Sequence, residues 1–196
     1  MKISWLEKDC FYLNIPAQKI SILINPSPKR KKIKGDVVLY SSFLKNEKED
    51  GDEAFIINKP GEYELKGVFI RGVGIKDKEG GLIIYTIRNK DISVCYLDKI
   101  KGKLLSSEII EQLNGIDIII AFLKEKQGFS VKELAKTVTQ LEAKLVIPFW
   151  EERKIVERFL KELGMKKQRE ENQLSVKKKD LGLEGIEVVL LKPRFK

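Results

Sequence analysis

Apolar residues through the first half of the chain come in short runs or strict alternation, a spacing that predicts strands and not helices. Ile3 to Leu6, Cys10 to Leu13, Ile20 to Ile24 and Val37 to Tyr40 read this way. So do Ala54 to Ile57, Tyr63 to Leu65, Val68 to Val73, Leu82 to Ile87 and Ile92 to Tyr96. Lys59-Pro60-Gly61, Gly80-Gly81 and Asn89-Lys90-Asp91 supply the turns between the later members, so this half predicts a β-meander. From Ser106 the period becomes helical. Ser106-Ser107-Glu108 offers an N-cap, Ile109, Ile110 and Leu113 form a stripe, and Asn114-Gly115 stops it. Ile118 to Phe122 is then a buried strand, and a second helix follows the capping box Ser130 to Glu133 as far as Leu141. Leu145 to Ile147 is a strand, and a third helix is expected after Pro148, with Ile155, Val156, Phe159, Leu160 and Leu163 on one face and Gly164 at its end. Strands near Gln173 to Val176 and Ile186 to Leu191 close the pattern. Strands first, then strands alternating with helices, and no Pro/Ser-rich linker predict one α/β domain over residues 1–196.

At 196 residues such a domain buries roughly two thirds of the surface of its unfolded chain and needs no staples. No run approaches the roughly 18 apolar residues of a membrane span, and the charged opening MKISWLEKDC lacks a signal-peptide core, so a cytoplasmic protein is expected. Cys10 and Cys95, each inside an apolar run, read as buried reduced thiols. The segment Lys45 to Glu53 is highly charged and is expected to be disordered.

The chain has no histidine. Histidine is the usual general base near neutral pH and the commonest transition-metal ligand, so hydrolytic zinc chemistry and His-based nucleophilic catalysis both lack their ordinary tool. Lys and Arg exceed Asp and Glu by 38 to 29, a formal charge of +9 that favours acidic partners without naming one.

Several local motifs resemble one family. Met1 to Leu6 followed by Cys10-Phe11, Ile22-Leu23-Ile24-Asn25-Pro26, Asp36 to Ser41, Pro60-Gly61-Glu62-Tyr63-Glu64-Leu65-Lys66-Gly67-Val68-Phe69-Ile70, and Val146-Ile147-Pro148 occur in the right order. Together they are similar to a small branch of the metallo-β-lactamase-fold hydrolases. The resemblance implies an α/β, four-layer αββα sandwich with a zinc site. Carried onto this chain, the metal positions of that branch fall on Lys8, Ser42, Leu44, Asn46, Glu47, Lys76, Lys99 and Trp150. Leucine and tryptophan donate nothing to a metal and lysine repels one, so the resemblance implies a lost zinc site, no metal, no catalytic residue and a pseudoenzyme kept for binding or assembly.

Two other readings stand beside it. Asp9, Glu47, Asp98 and Glu151 lie at or beside the same positions and could form an oxygen cluster for Mg²⁺ or Mn²⁺; the plainer expectation is rim carboxylates paired with Lys8, Lys45, Lys99 and Arg153. The basic runs Lys29 to Lys34, Lys166 to Arg169 and Lys177 to Lys179 could form a nucleic-acid surface, though no recognised motif accompanies them. Phe149 and Trp150, at the expected mouth of the cleft, would serve packing or else docking of a protein partner or a second copy. No membrane partner is expected.

Overall fold

The computed structural model describes residues 1–27, 33–42, 54–75, 81–98, 105–124, 130–165, 168–182 and 185–195. The expected disordered stretch at Lys45 to Glu53 lies outside them. Among the described residues the strands form two sheets. The smaller runs in the order β13 (Leu174–Ser175), β1 (Lys2–Glu7), β2 (Cys10–Ile15), β3 (Ile20–Ile24), β4 (Val37–Leu39), β5 (Phe55–Ile57). The larger runs β12 (Arg169–Glu171), β14 (Glu187–Leu191), β11 (Leu145–Trp150), β10 (Ile118–Leu123), β9 (Ser93–Leu97), β8 (Leu82–Arg88), β7 (Val68–Ile75), β6 (Gly61–Leu65). The predicted meander is β6 to β9, antiparallel throughout; β9, β10, β11, β14 and β12 then run parallel. In the smaller sheet β3, β4 and β5 are parallel too.

Strand alternation explains the layers. On β1 to β4 the residues Ile3, Trp5, Phe11, Leu13, Ile22, Ile24, Val37 and Leu39 point inward and meet Ile70, Tyr85, Tyr96, Ile120, Ile147 and Phe149 of the larger sheet. The larger sheet is apolar on both faces: Cys95, Ile119, Val146 and Val188 face the other way. There they bury the stripes of α1 (Ser107–Gln112), α2 (Val131–Gln140) and α3 (Lys154–Glu162). The metallo-β-lactamase-like sandwich is thus present. Its described helices lie over the larger sheet, while the outer face of the smaller carries Leu6, Cys10, Leu23 and Val38 with Ile33, Tyr40 and Phe195. No helix of the described residues is long and apolar enough to cross a membrane.

Helix α2 starts where its capping box predicts: Glu133 N donates to Ser130 Oγ at 3.2 Å, and Ser130 N donates to the Glu133 carboxylate at 2.9 Å. The third helix does come after Pro148, but the strand expected to end at Ile147 is longer. β11 continues through Pro148 to Trp150, pairing with β10 up to Leu123, and α3 begins only at Lys154. Proline is tolerated because β14 pairs with β11 only at Leu145 and Val146, so no partner on that side needs the missing N–H.

Candidate functional site

Parallel strands gather ligand-binding residues at their carboxyl ends, so that edge is where chemistry is sought. Asn25 follows β3, Ser41 lies just past β4, Asp98 follows β9, and Trp150 closes β11. Asn25 turns the chain in the left-handed region, φ 48°, a conformation that asparagine adopts more readily than most residues. Its amide N donates to Leu39 O at 2.8 Å, which pins it beside β4.

The side chains then form one hydrogen-bond network with assigned directions. Ser41 N donates to Asn25 Oδ1 at 2.9 Å, which fixes the orientation of the carboxamide. Asn25 Nδ2 therefore faces Ser41 Oγ at 2.8 Å, Tyr96 Oη at 3.1 Å and, more distantly, Asp98 Oδ2 at 3.3 Å. Ser41 Oγ in turn donates to Asp98 Oδ2 at 2.5 Å. Tyr96 Oη donates to the Asp9 carbonyl at 2.7 Å. Burial above all, and after it the negative charges of Asp98 and Asp9, holds the Tyr96 hydroxyl well above its ordinary pKa, against the opposing Asn25 hydrogen bond; it remains a donor. Ser41 and Asp98 are 1 % and 5 % exposed, so their contact is shielded from bulk water, while Asn25 is half-buried at the rim of the network.

Beneath it the edge is filled by rings. Phe149 stacks on Tyr96 at 5.9 Å between centroids and meets Phe11 and Phe122 edge-on or tilted, each at 5.2 Å. Trp150 packs on Trp5 at 5.0 Å, and the Arg153 guanidinium lies 5.6 Å from its ring centroid. Of the two roles open to Phe149 and Trp150, packing is the one these contacts describe.

The other predicted positions separate. Lys8 is exposed in the β1–β2 turn at φ 44°, and its carbonyl accepts from Trp5 Nε1 at 2.7 Å. Ser42 makes a β-bridge with Leu82. Leu44, Asn46, Glu47, Lys76 and Lys99 lie outside the described residues. Of the carboxylate set, Asp98 and the backbone of Asp9 join the network, whereas Glu151 is exposed and pairs with Lys124 at 2.8 Å. The expected pairing with Arg153 is corrected: Arg153 reaches Glu170, which sits across from it on edge strand β12. Among the described residues no three His, Cys, Asp or Glu side chains gather to hold a metal. Cys10 and Cys95 belong to clusters on opposite outer faces. With no histidine in the chain, the residues described here do not fit the zinc that the resemblance implies.

The basic runs are only partly described. Lys178 pairs with Asp117 at 2.6 Å, and Arg169 lies between Glu171 and Glu187 at 2.8 and 3.4 Å, so part of that positive charge is locally compensated. Sequence reasoning missed Asn25, Ser41 and Tyr96 as site residues. Their signal was a polar residue at, or within two positions of, the carboxyl end of an apolar strand, which in one dimension looks like turn punctuation.

A family profile described as "Beta-lactamase superfamily domain" matches residues 2–150. Among curated proteins none matches significantly. Among solved structures, the chain is similar to a protein of Thermotoga maritima assigned as a Zn-dependent hydrolase of the metallo-β-lactamase superfamily. The TM-score is 0.78 at 23% identity, covering 100% of this chain and 99% of that one. It is also similar to a protein of Parabacteroides distasonis assigned as a metal-dependent hydrolase, with TM-score 0.65, 14% identity, and coverage of 99% and 93%. The metallo-β-lactamase fold protein YhfI of Bacillus subtilis gives TM-score 0.66 at 10% identity, covering 98% and 96%. At these identities the likeness shows the fold.

Proposed function

This chain belongs to the β-lactamase superfamily, and we propose that within it the chain is a catalytically degenerate member, residues 1–196 forming a single domain retained for binding or assembly. The observation that carries the reading is a preserved scaffold in a chain with no histidine, whose strand-end edge holds a closed Asn25–Ser41–Asp98 network and a tryptophan at a position matching a family metal ligand. Zinc hydrolases need a bound water on a metal held by nitrogen, sulfur or carboxylate donors with one position left open. Here the carboxylate at the edge is engaged by Ser41 and Asn25, and the ring of Trp150 is spent on Trp5.

The partner is proposed to be another protein or a second copy, working in the cytoplasm, where two separated buried thiols such as Cys10 and Cys95 stay reduced. A Mg²⁺ or Mn²⁺ site on Asp9, Glu47, Asp98 and Glu151 has less support. Glu151 is paired with Lys124, and Asp98 already accepts two hydrogen bonds. A nucleic-acid surface is likewise weakened by the ion pairs of Lys178 and Arg169.

The test is the metal content of the purified, tag-free protein, followed by thermal melting with a chelator and with added Zn²⁺, Mn²⁺ or Mg²⁺. Less than a tenth of a metal per chain and an unmoved Tm are expected, because only a ligand of the folded state raises Tm by mass action. One zinc per chain together with metal-dependent hydrolysis of a phosphodiester, lactone or amide would falsify the reading, and one hard cation per chain would move the assignment to the carboxylates.

A further inference from the structure

In chain order, the positions that match the family's metal ligands come after strands of both sheets. Lys8 and the run Ser42 to Glu47 follow β1 and β4 of the smaller sheet; Lys76 and Lys99 follow β7 and β9 of the larger, and Trp150 ends β11. A metal held by such a set is a tie between sheets, and its binding energy is in part folding energy. A chain that gives up the metal gives up that tie, at the edge where, among the described residues, an isolated bridge and not a continuous ladder joins the backbones of the two sheets.

We propose that Asn25, Ser41 and Asp98 form a metal-free latch that takes over this tie, holding the carboxyl-terminal strand edge closed. Asn25 and Ser41 come from the smaller sheet and Asp98 from the larger, so the contacts at 2.5 and 3.3 Å to the carboxylate cross between sheets. Neighbouring bonds cross at the same end. Tyr96 of the larger sheet donates to Asp9 of the smaller at 2.7 Å. Tyr85 Oη lies 2.9 Å from Tyr40 O and 3.0 Å from Ile57 O. Ile83 N donates to Ser41 O at 2.7 Å, beside the Ser42–Leu82 bridge. Deeper in the sandwich the sheets meet through apolar side chains, whose packing resists displacement but whose attraction has no preferred direction. Hydrogen bonds of fixed direction between buried groups set one alignment, and each costs most when only one partner is removed. The latch also closes the edge: the two groups that would face an incoming substrate, the Ser41 hydroxyl and the Asp98 carboxylate, face each other instead.

The inference rests on the vacated-site reading, and its experiment separates the two. Amide hydrogen exchange is measured in EDTA on the wild type, Ser41→Ala, Asp98→Asn and the double variant, with zinc uptake of the wild type measured in parallel. Each single variant is expected to speed exchange tenfold or more in both residues 37–42 and residues 93–98, on opposite sheets, while residues 61–70 stay unchanged. The double variant is expected to exceed neither single by more than about twofold, since both cut one tie. If Asp98→Asn does not fold, Asn25→Ser with Ser41→Ala serves the same cycle. Faster exchange confined to the mutated strand, or additive effects, overturns the latch while leaving the pseudoenzyme reading intact. Stoichiometric zinc uptake by the wild type overturns the vacated-site reading and with it the replacement of a metal.

Discussion

The two ends of the parallel strands are both finished with a carboxylate, in opposite ways. At the carboxyl end Asp98 is 5 % exposed and receives the Ser41 hydroxyl and the Asn25 carboxamide across the gap between sheets. At the amino end of β10 Asp117 receives the Ser93 amide at 2.9 Å and the Lys178 ammonium at 2.6 Å, with that lysine more than half exposed. Asp117 also uses its backbone to join neighbouring strands: its N–H donates to Ser93 O, and its carbonyl accepts from Lys144 N and Leu145 N. One end is a largely buried clasp between sheets, the other a staple that joins strands of the larger sheet and carries a half-exposed lysine. The difference is one of burial and of donor type: neutral donors meet the more buried carboxylate at one end, and an exposed ammonium meets the other.

The largest effect is expected just under the clasp. Phe149 is fully buried and touches the rings of Trp5, Phe11, Tyr96 and Phe122, so Phe149→Ala deletes the shared centre of the stack. A loss of about 3–5 kcal/mol is expected in chemical denaturation. A loss below about 1 kcal/mol would show that the carboxyl-end edge is loosely packed and would remove the contrast between the two ends.

At the amino end Asp117→Ala is expected to cost about 2 kcal/mol, because the part-buried Ser93 amide loses its acceptor and Lys178 its partner. The measurement is urea unfolding, and a cost equal to that of Phe149→Ala would make the staple as consequential as the packed edge. Ionisation sharpens the comparison next. Cys10, in the β1–β2 turn region beside the clasp, has its thiol pushed up to about 12 from 9.0 by burial first and then by the charges of Asp9 and Glu7. Between those two values the unfolded chain loses a proton that the folded chain keeps. The contribution is therefore fully present below pH 9 and is lost as pH rises toward 12. Comparing urea midpoints at pH 8 and pH 10, the wild type should lose about 1 kcal/mol more than Cys10→Ala. Equal losses would show that the thiol is open to water.

Much of this architecture was legible before any coordinates. The start of α2 was readable because Ser130 and Glu133 are three residues apart and settle the matter between themselves. The strands of the meander were readable because alternation is local. β12 was missed because Arg169-Glu170-Glu171 is a polar edge strand with no apolar alternation to announce it. Pro148 misled because the chemistry of proline was read without knowing that the strand beside it, β14, stops short. The clasp was half legible: Asp98 was singled out as a carboxylate beside a position of the resemblance, but its partners stand 57 and 73 residues away and gain meaning only when two sheets meet. Trp150 was singled out by resemblance alone, and its neighbours, Trp5 and Arg153, are given only by the structure.

The smallest effect isolates the charge in the staple. Lys178→Ala removes the ammonium but leaves the Ser93 amide in place on Asp117. The lysine is 59% exposed, so water replaces much of what it gave, and holding a long flexible side chain in one geometry costs conformational entropy. A loss of about 0–1 kcal/mol is expected, shrinking further between 50 mM and 500 mM salt as the pair is screened. The subtraction matters more than the value. If Asp117→Ala costs clearly more than Lys178→Ala, the backbone amide and not the ion pair holds the amino end, and the two carboxylates are alike in relying on neutral donors. If the two variants cost the same and both losses vanish in high salt, the amino end is held by charge, and the two ends differ in the nature of the bond as well as in its burial.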